Sequence, residues 1–152
     1  TAIRHSNIYG PYDKFDLERG HFFGATVEKV MSAPNGGTIT VWGDGEEERD
    51  LLYVSDLCDF VERAINMQKS PFELCNVGLE ASCTVGSITR LIADQSGKNL
   101  TIAFDENKPT IKGRLALNCS RARNTFRWQP RVGIGEGIVK TLEWYKNNKE
   151  KE

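Results

Sequence analysis

Hydrophobic and polar residues along this chain follow two different periods. Apolar residues recur at every third or fourth position in four stretches, which predicts helices over about 21–33, from about 55 onward, over 84–97 and over about 135–148. Short runs of apolar and β-branched residues, bounded by glycine or proline, predict strands over 1–8, 38–42, 51–54, 72–77 and 100–104. Because the two kinds of element alternate without repeats or an obvious linker, the pattern predicts one mixed α/β unit.

Polar residues at the edges of these stretches indicate where helices begin and end. Ser55 and Thr84 precede apolar-periodic segments and are N-cap candidates, and Ser120 is a candidate cap for a short helical turn. Gly97 suits the left-handed position that often follows a helix. In the helix after Ser55 the spacing predicts a core-facing set, namely Leu57, Val61, Ala64 and Ile65.

Composition excludes two classes of partner. The 152 residues include 20 basic and 21 acidic side chains, for a net charge of −1, whereas a protein that binds duplex nucleic acid carries a basic surplus. No apolar run approaches the roughly 18 residues of a membrane span, and no signal-peptide core opens the chain. We therefore expect no nucleic-acid partner, no membrane partner and a cytoplasmic location.

The four cysteines, Cys58, Cys75, Cys83 and Cys119, show no C-x-x-C spacing and no cluster with histidine. Zinc ligands recur at such spacings, and unpaired cysteines are usual in reducing compartments. The sequence therefore predicts four reduced cysteines, mostly buried, and no metal site.

Two places stand out as candidates for chemistry. His21 lies where a charged, aperiodic stretch meets a predicted helix start, and Arg49 follows the glycine turn Trp42–Gly45. The planar guanidinium of an arginine in such a place can bind a phosphate. From spacing alone, the alternatives are that Arg49 is a solvated surface charge, that His21 caps or packs the helix start, and that Trp42 belongs to the core.

A series of short motifs spans nearly the whole chain. In chain order these are R-H-S-N-I-Y-G-P at 4–11, V-W-G-D-G at 41–45, R-D at 49–50, V-S-D-L at 54–57, N-V-G at 76–78, K-P at 108–109, W-Q-P at 128–130 and E-G…E-W-Y at 136–145. Together they resemble the motifs of the extended short-chain dehydrogenase/reductases that act on nucleotide sugars, the NAD(P)-dependent epimerase/dehydratase family. The resemblance implies an α/β fold, the C-terminal substrate-binding lobe of an extended enzyme of this family, with a residual strand of its Rossmann sheet.

Within the family, residues 15–21 are most similar to the GDP-L-fucose synthases, whose loop reads roughly N-F-x-x-E-N-S-H. Phe15, Glu18 and His21 fit that pattern, while Arg19 and Gly20 stand where asparagine and serine are usual. The resemblance implies that His21 is a catalytic acid/base in epimerisation next to a 4-keto carbon. Imidazole suits that task because its ordinary pKa lies near 6.5.

The same resemblance implies a set of substrate-binding residues. Asn7 would contact the nucleotide sugar, Arg49 and Arg114 would hold its diphosphate, Lys29 falls at a substrate-binding position, and Trp42 would line the sugar site. Two phosphate charges need more than one cation, which separated basic side chains supply. Leu115 departs from the pattern, because a basic residue is usual there.

The resemblance also implies a division of the chain and a larger parent enzyme. Residues 1–11 would be the last part of the Rossmann-type cofactor domain, and residues 12–152 the nucleotide-sugar-binding domain. The first residue is Thr1 rather than Met, and the resemblance places the family's glycine-rich loop and Tyr-x-x-x-Lys pair before it. NADP or NAD would serve the parent enzyme, which we expect to be a homodimer, and this part alone would bind neither cofactor and transfer no hydride.

Other readings remain open at this stage. The parent could be an NDP-sugar 4-epimerase or 4,6-dehydratase, whose reactions do not need a base at His21. The chain could also be a non-catalytic nucleotide-sugar-binding module.

Overall fold

A computed structural model describes residues 1–110 and 113–149, and in these ranges the chain forms seven strands and five helices. In chain order they are β1 (Ala2–His5), β2 (Asn7–Tyr9), α1 (Phe22–Ser32), β3 (Thr38–Trp42), β4 (Glu48–Tyr53), α2 (Val54–Met67), β5 (Leu74–Val77), β6 (Ser82–Thr84), α3 (Val85–Ser96), β7 (Thr101–Asp105), α4 (Ser120–Phe126) and α5 (Ile134–Asn148). The predicted mixed α/β class is confirmed.

The strands form three small sheets that are mostly parallel. β1 pairs with β5, β2 with β4, and β3 with β7, all in parallel, while β6 joins β4 in the antiparallel sense. The prediction of one strand over 1–8 is wrong, because the chain changes partner at Ser6, whose N–H donates to the Val77 carbonyl at 3.0 Å. This change of partner carries Asn7 to the strand that bears Arg49.

Two hydrophobic clusters form the core. The first packs β2, β4 and helices α1, α3 and α5 around the buried rings of Tyr9 and Phe23, whose centroids lie 4.3 Å apart. The second packs α2 and α4 around Phe60, Phe126 and Trp128, each with no more than 1% of its surface exposed. The first cluster fixes α1, the helix that begins directly after His21.

Helix ends agree with the sequence at α3 and differ at α2. Thr84 caps α3, since its Oγ1 accepts the Ser87 N–H at 3.1 Å, and Gly97 follows with φ 79°. Helix α2 begins two residues earlier than expected, with Tyr53 as its N-cap in place of Ser55. Likewise, Cys119 rather than Ser120 stands at the N-cap of α4.

The predicted core face of α2 is wrong in part. Ile65 is 77% exposed and Val61 38%, whereas Phe60 is fully buried. Phe60 instead packs edge-on against Phe126 and Trp128, with ring centroids 5.5 and 5.6 Å away. The side of α2 that carries Phe60 and Ala64 therefore faces the core.

The cysteines are free, as expected for reduced thiols. Cys75 and Cys119 are buried and Cys83 is partly buried, while Cys58 is exposed. Burial raises the pKa of the Cys119 thiol to about 11. Within residues 1–110 and 113–149, no group of three or more histidine, cysteine or acidic side chains could hold a metal ion, and no helix is long and apolar enough to cross a bilayer.

Candidate functional site

Two adjoining cavities open beside the first turns of α1. The first has a volume of about 350 Å³ and is lined by His5, Ser6, Asn7, Ile8, His21, Phe22, Phe23, Leu51 and Leu115. The second, of about 330 Å³, is lined by Leu17, Glu18, Gly20, Phe22, Ala25, Thr26, Lys29, Val41, Trp42, Glu47, Arg49, Val85, Pro109 and Thr110. Phe22 lines both cavities, which are therefore neighbours. Five of the six residues expected at a substrate site line one cavity or the other.

His21 stands at the N-cap position of α1 with extended backbone angles. Its carbonyl accepts the Ala25 N–H at 2.9 Å, but its side chain makes no capping hydrogen bond and is exposed. The imidazole therefore faces the first cavity without a role in the helix start. Burial raises the pKa of the nearby Asp13 carboxyl, and the charge of His21 acts in the opposite direction.

Asn7 shares the first cavity with His21. It lies on β2 opposite Leu51, and its Nδ2 donates to the Asp50 carbonyl at 3.1 Å. This bond fixes the amide against β4, so that the polar end of Asn7 is held at the wall of the cavity.

Lys29 and Arg49 supply positive charge to the second cavity from different elements. Lys29 is on α1, its Nζ donates to the Thr40 carbonyl at 2.8 Å, and partial burial lowers its pKa. Arg49 is on β4, and its Nη1 donates to the neighbouring Glu48 carbonyl at 3.1 Å. Two cations that line one cavity suit a ligand with more than one negative charge.

Trp42 lies at the end of β3 at the rim of the second cavity. The side chain is 55% exposed, so the alternative that it belongs to the core is wrong. Lys108 Nζ lies 5.7 Å from the ring centroid, within the range of a cation–π contact. An exposed indole of this kind offers a flat apolar surface to a ligand.

Arg114 lines neither cavity. Its side chain is 78% exposed and its Nε is 3.1 Å from Glu48 Oε2, at a shallow depression lined by Asp44, Glu46, Glu47, Glu48 and Gly113. Glu47 lines both this depression and the second cavity, so Arg114 lies beside the cavity of Lys29 and Arg49 without lining it. The neighbouring residues 111–112 lie outside the described residues.

Two buried aspartates in the recognised motifs hold segments together. Asp50 is fully buried, and its two oxygens accept the backbone N–H groups of Leu79 and Leu117 at 2.8 and 3.0 Å. Asp56 Oδ2 accepts the N–H groups of Arg131 and Val132 at 3.0 and 2.9 Å. Both carboxylates are therefore occupied by backbone donors from distant parts of the chain.

Sequence reasoning overlooked a Tyr-x-x-x-Lys spacing in this chain, formed by Tyr145 and Lys149. In the structure both side chains bind Glu28: the Tyr145 hydroxyl donates to Oε2 at 2.6 Å, and Lys149 Nζ lies 2.5 Å from Oε1. Burial and the bond to Glu28 raise the pKa of Tyr145. The pair ties α5 to α1 and lies in neither of the two cavities.

Sequence reasoning also missed Glu47. It lies in the acidic run 46–48, where nothing in the spacing distinguishes one glutamate from the next. In the structure, Glu47 is 9% exposed and lines the second cavity, whereas Glu46 is exposed.

With this geometry in place, the chain can be compared with known proteins. It belongs to the NAD dependent epimerase/dehydratase family, whose model matches residues 1–78. The resemblance drawn from the motifs is thereby confirmed. The chain is 34% identical over 151 residues to GDP-L-colitose synthase from Yersinia pseudotuberculosis, covering 98% of this chain and 48% of that protein.

Further similarities point the same way. A probable GDP-L-fucose synthase 1 from Oryza sativa subsp. japonica is 31% identical over 145 residues, which cover 94% of this chain and 44% of the relative. The crystal structure of UDP-glucose 4-epimerase from Thermotoga maritima, with UDP-glucose, matches with a TM-score of 0.81 and 26% identity over 95% of this chain and 45% of that one. The chain spans about half the length of the curated relatives it matches.

Proposed function

We propose that this chain is the nucleotide-sugar-binding part of an NAD(P)-dependent epimerase/reductase similar to the GDP-L-fucose synthases. The observation that carries the proposal is the placement of Lys29, Trp42 and Arg49 around one cavity, which adjoins the cavity of Asn7 and His21 across Phe22. In this proposal the cations bind the diphosphate in the second cavity and the sugar reaches the first, so Trp42 flanks the diphosphate and not, as the resemblance implied, the sugar. The names of the relatives support a GDP-linked sugar as the substrate.

His21 is the acid/base group in this proposal. It takes the proton from the carbon next to the 4-keto group to leave an enolate and an imidazolium, which later releases its proton to solvent. A second donor on the opposite face, to which no residue of this chain is assigned, protonates that carbon and completes the epimerisation. The imidazole is exposed and makes no capping bond, so it can contact a ligand in the first cavity. Asn7, held against the Asp50 carbonyl, positions the sugar beside it.

Hydride transfer is assigned to no residue of this chain. A nicotinamide cofactor needs a glycine-rich loop that follows a strand and opens a helix for its pyrophosphate. The glycine-rich start of α5 does not fit, because Glu136 lies in its first turn and a Cβ on Gly137 would come 2.0 Å from the Tyr9 hydroxyl. We propose residues 1–11 as the end of the cofactor domain and 12–152 as the nucleotide-sugar-binding domain.

Calorimetric titration of the chain with GDP, UDP and dTDP tests the proposal and identifies the base. We expect binding of GDP, and a loss of at least about tenfold in affinity for Arg49→Met, since one charge-assisted bond to a phosphate is removed. Arg121→Met is the matched control, because Arg121 lies on α4 beside Glu73 and lines neither cavity.

The results of these titrations, together with turnover of a His21 variant, decide between the proposed function and its alternatives. No heat with any nucleotide, or full GDP affinity in Arg49→Met, would overturn the proposed binding site. Preference for UDP would favour a 4-epimerase, and preference for dTDP a 4,6-dehydratase, as the parent enzyme. Turnover of a GDP-4-keto sugar that does not change in His21→Ala, measured in an enzyme that contains this chain, would remove His21 from the chemistry.

A further inference from the structure

Glu47 has hydrogen-bonding capacity that the described part of the chain does not use. Its side chain is only 8% exposed, yet its buried Oε2 accepts no hydrogen bond from residues 1–110 or 113–149. Its Oε1 lies 3.9 Å from Arg49 Nη2, which is too long for a direct hydrogen bond. Buried carboxyl oxygens are nearly always bonded, so this unused acceptor in the wall of the second cavity calls for a donor.

The absence of a side chain at Gly43 leaves space beside this carboxyl group. Gly43 has φ 81°, and a Cβ at that position would come 3.3 Å from Glu47 Oε2 and 2.2 Å from Thr110 Cγ2. Any other residue would therefore crowd both the carboxyl group and Thr110. Since Thr110 and Glu47 both line the second cavity, glycine at position 43 preserves this part of its wall.

The chemistry of a carboxylate restricts what it can meet in a ligand. An ionised carboxylate only accepts hydrogen bonds, as does an ionised phosphate, so the diphosphate held by Lys29 and Arg49 cannot be its partner. The matching group must carry O–H or N–H donors close to the phosphates. In a nucleoside diphosphate the nearest such donors are the ribose hydroxyls.

We propose that Glu47 accepts hydrogen bonds from the ribose hydroxyls of the bound nucleotide and thereby selects ribonucleotides over 2′-deoxyribonucleotides. This inference rests on the proposed function, because it takes the diphosphate to lie on Lys29 and Arg49. The sugar end lies in the cavity of His21 and Asn7, which leaves the ribose side to Glu47. Carboxylates bind ribose hydroxyls in the same way in dinucleotide-binding domains.

The consequence is a restriction of the substrate class. GDP-sugars and UDP-sugars carry a ribose, whereas dTDP-sugars carry a 2′-deoxyribose. Loss of one hydrogen bond to a charged acceptor lowers affinity about ten- to hundredfold. The chain should therefore prefer GDP to 2′-deoxy-GDP, two ligands with the same base and the same phosphates.

The test is a calorimetric titration of the wild-type chain and of Glu47→Ala and Glu47→Gln with GDP and 2′-deoxy-GDP. We expect the wild-type chain to bind GDP at least about tenfold more tightly, and Glu47→Ala to bind both ligands alike. Glu46→Ala, an identical change at the exposed neighbour, should keep the preference. If the alanine variant does not fold, Glu47→Gln replaces it in the test, because glutamine preserves the shape of the side chain. The preference of Glu47→Gln for GDP over 2′-deoxy-GDP should then be smaller than that of the wild-type chain.

The failures are distinguishable. If the wild-type chain binds GDP and 2′-deoxy-GDP equally, the role of Glu47 is overturned and the diphosphate site stands. If the Glu47 variants lose affinity for both ligands by the same factor and keep the preference, Glu47 acts through Arg49 and the inference is wrong. If neither ligand binds the wild-type chain, the proposed function fails and this inference fails with it.

Discussion

Acidic side chains on or beside β4 and α2 differ in how many of their carboxylate oxygens accept hydrogen bonds. Asp50 and Asp56 are buried and accept backbone N–H groups from segments far along the chain. Glu47, three residues before Asp50, is nearly as buried and has an oxygen with no described partner. The first group joins the chain to itself, and the second faces a cavity.

The difference separates structural from ligand-facing residues within one motif. A buried carboxylate whose acceptors are filled by backbone donors holds loops in place, and breaking it leaves those donors unpaired. Around the two cavities, His21 and Trp42 are exposed and Glu47 is unsatisfied. We therefore expect changes at the first group to act on stability, and changes around the cavities to act on binding.

The largest expected effect is on stability, in Asp50→Asn. The amide keeps one acceptor oxygen but turns an NH₂ group toward the second backbone donor, Leu79 N–H or Leu117 N–H. The free energy of unfolding should fall by about 2–3 kcal/mol. Urea denaturation measures this as a lower midpoint at an unchanged slope.

The control for this prediction is Asp94→Asn, the same change at an exposed position on α3. It should alter the free energy of unfolding by no more than about 0.5 kcal/mol. Equal stability of the two variants would break the comparison, because the filled acceptors of Asp50 would then contribute nothing to the fold.

Local signals in the sequence were sufficient for much of the fold. Helices α1, α3 and α5 lie close to their expected ranges, because each carries apolar residues at helical spacing. Thr84 and Gly97 bound α3 as predicted. The strand over 38–42 is likewise where its β-branched residues placed it.

Long-range pairing could not be predicted in this way. The break at Ser6 depends on which strands lie beside β1 and β2, and those are more than 40 residues away. The side of α2 that faces the core is set by Phe126 and Trp128, which come from a distant segment. For the same reason the short strand β6 was missed, since it exists only by pairing with β4.

The candidate site likewise contains residues that the sequence identified and one that it did not. The resemblance named His21, Asn7, Lys29, Trp42 and Arg49 from motifs, and the structure places these five around two adjoining cavities. Their roles remain predictions. Glu47 could not be found from the sequence, because burial alone distinguishes it within the run 46–48.

The second prediction concerns Glu28, a partly exposed carboxylate with filled acceptors. Burial acts to raise its pKa, but hydrogen bonds from Lys149, Ser32 and Tyr145 outweigh burial and lower the pKa below its ordinary value of 4.5. The stabilisation is therefore fully present above pH 4.5 and is lost as the pH falls through the lowered pKa of the folded state.

In Glu28→Gln, the free energy of unfolding should fall by about 1 kcal/mol at neutral pH, and the gap to the wild-type chain should close in acid. Urea denaturation at a series of pH values below 7 measures it, with Glu62→Gln on the exposed face of α2 as the control. A gap that stays constant down to pH 3 would show that the charge of Glu28 does not act through this cluster, which would remove it from the group of structural carboxylates.

The smallest expected effect on stability is that of His21→Ala. The imidazole is exposed and makes no capping bond, so its removal should change the free energy of unfolding by less than about 0.5 kcal/mol. Since the proposed function places the diphosphate in the other cavity, GDP affinity should stay within about twofold of the wild-type value. Thermal denaturation and calorimetry measure the two quantities. A destabilisation above about 1 kcal/mol would instead make His21 a structural residue of the helix start, which would leave the proposed proton transfer without its base.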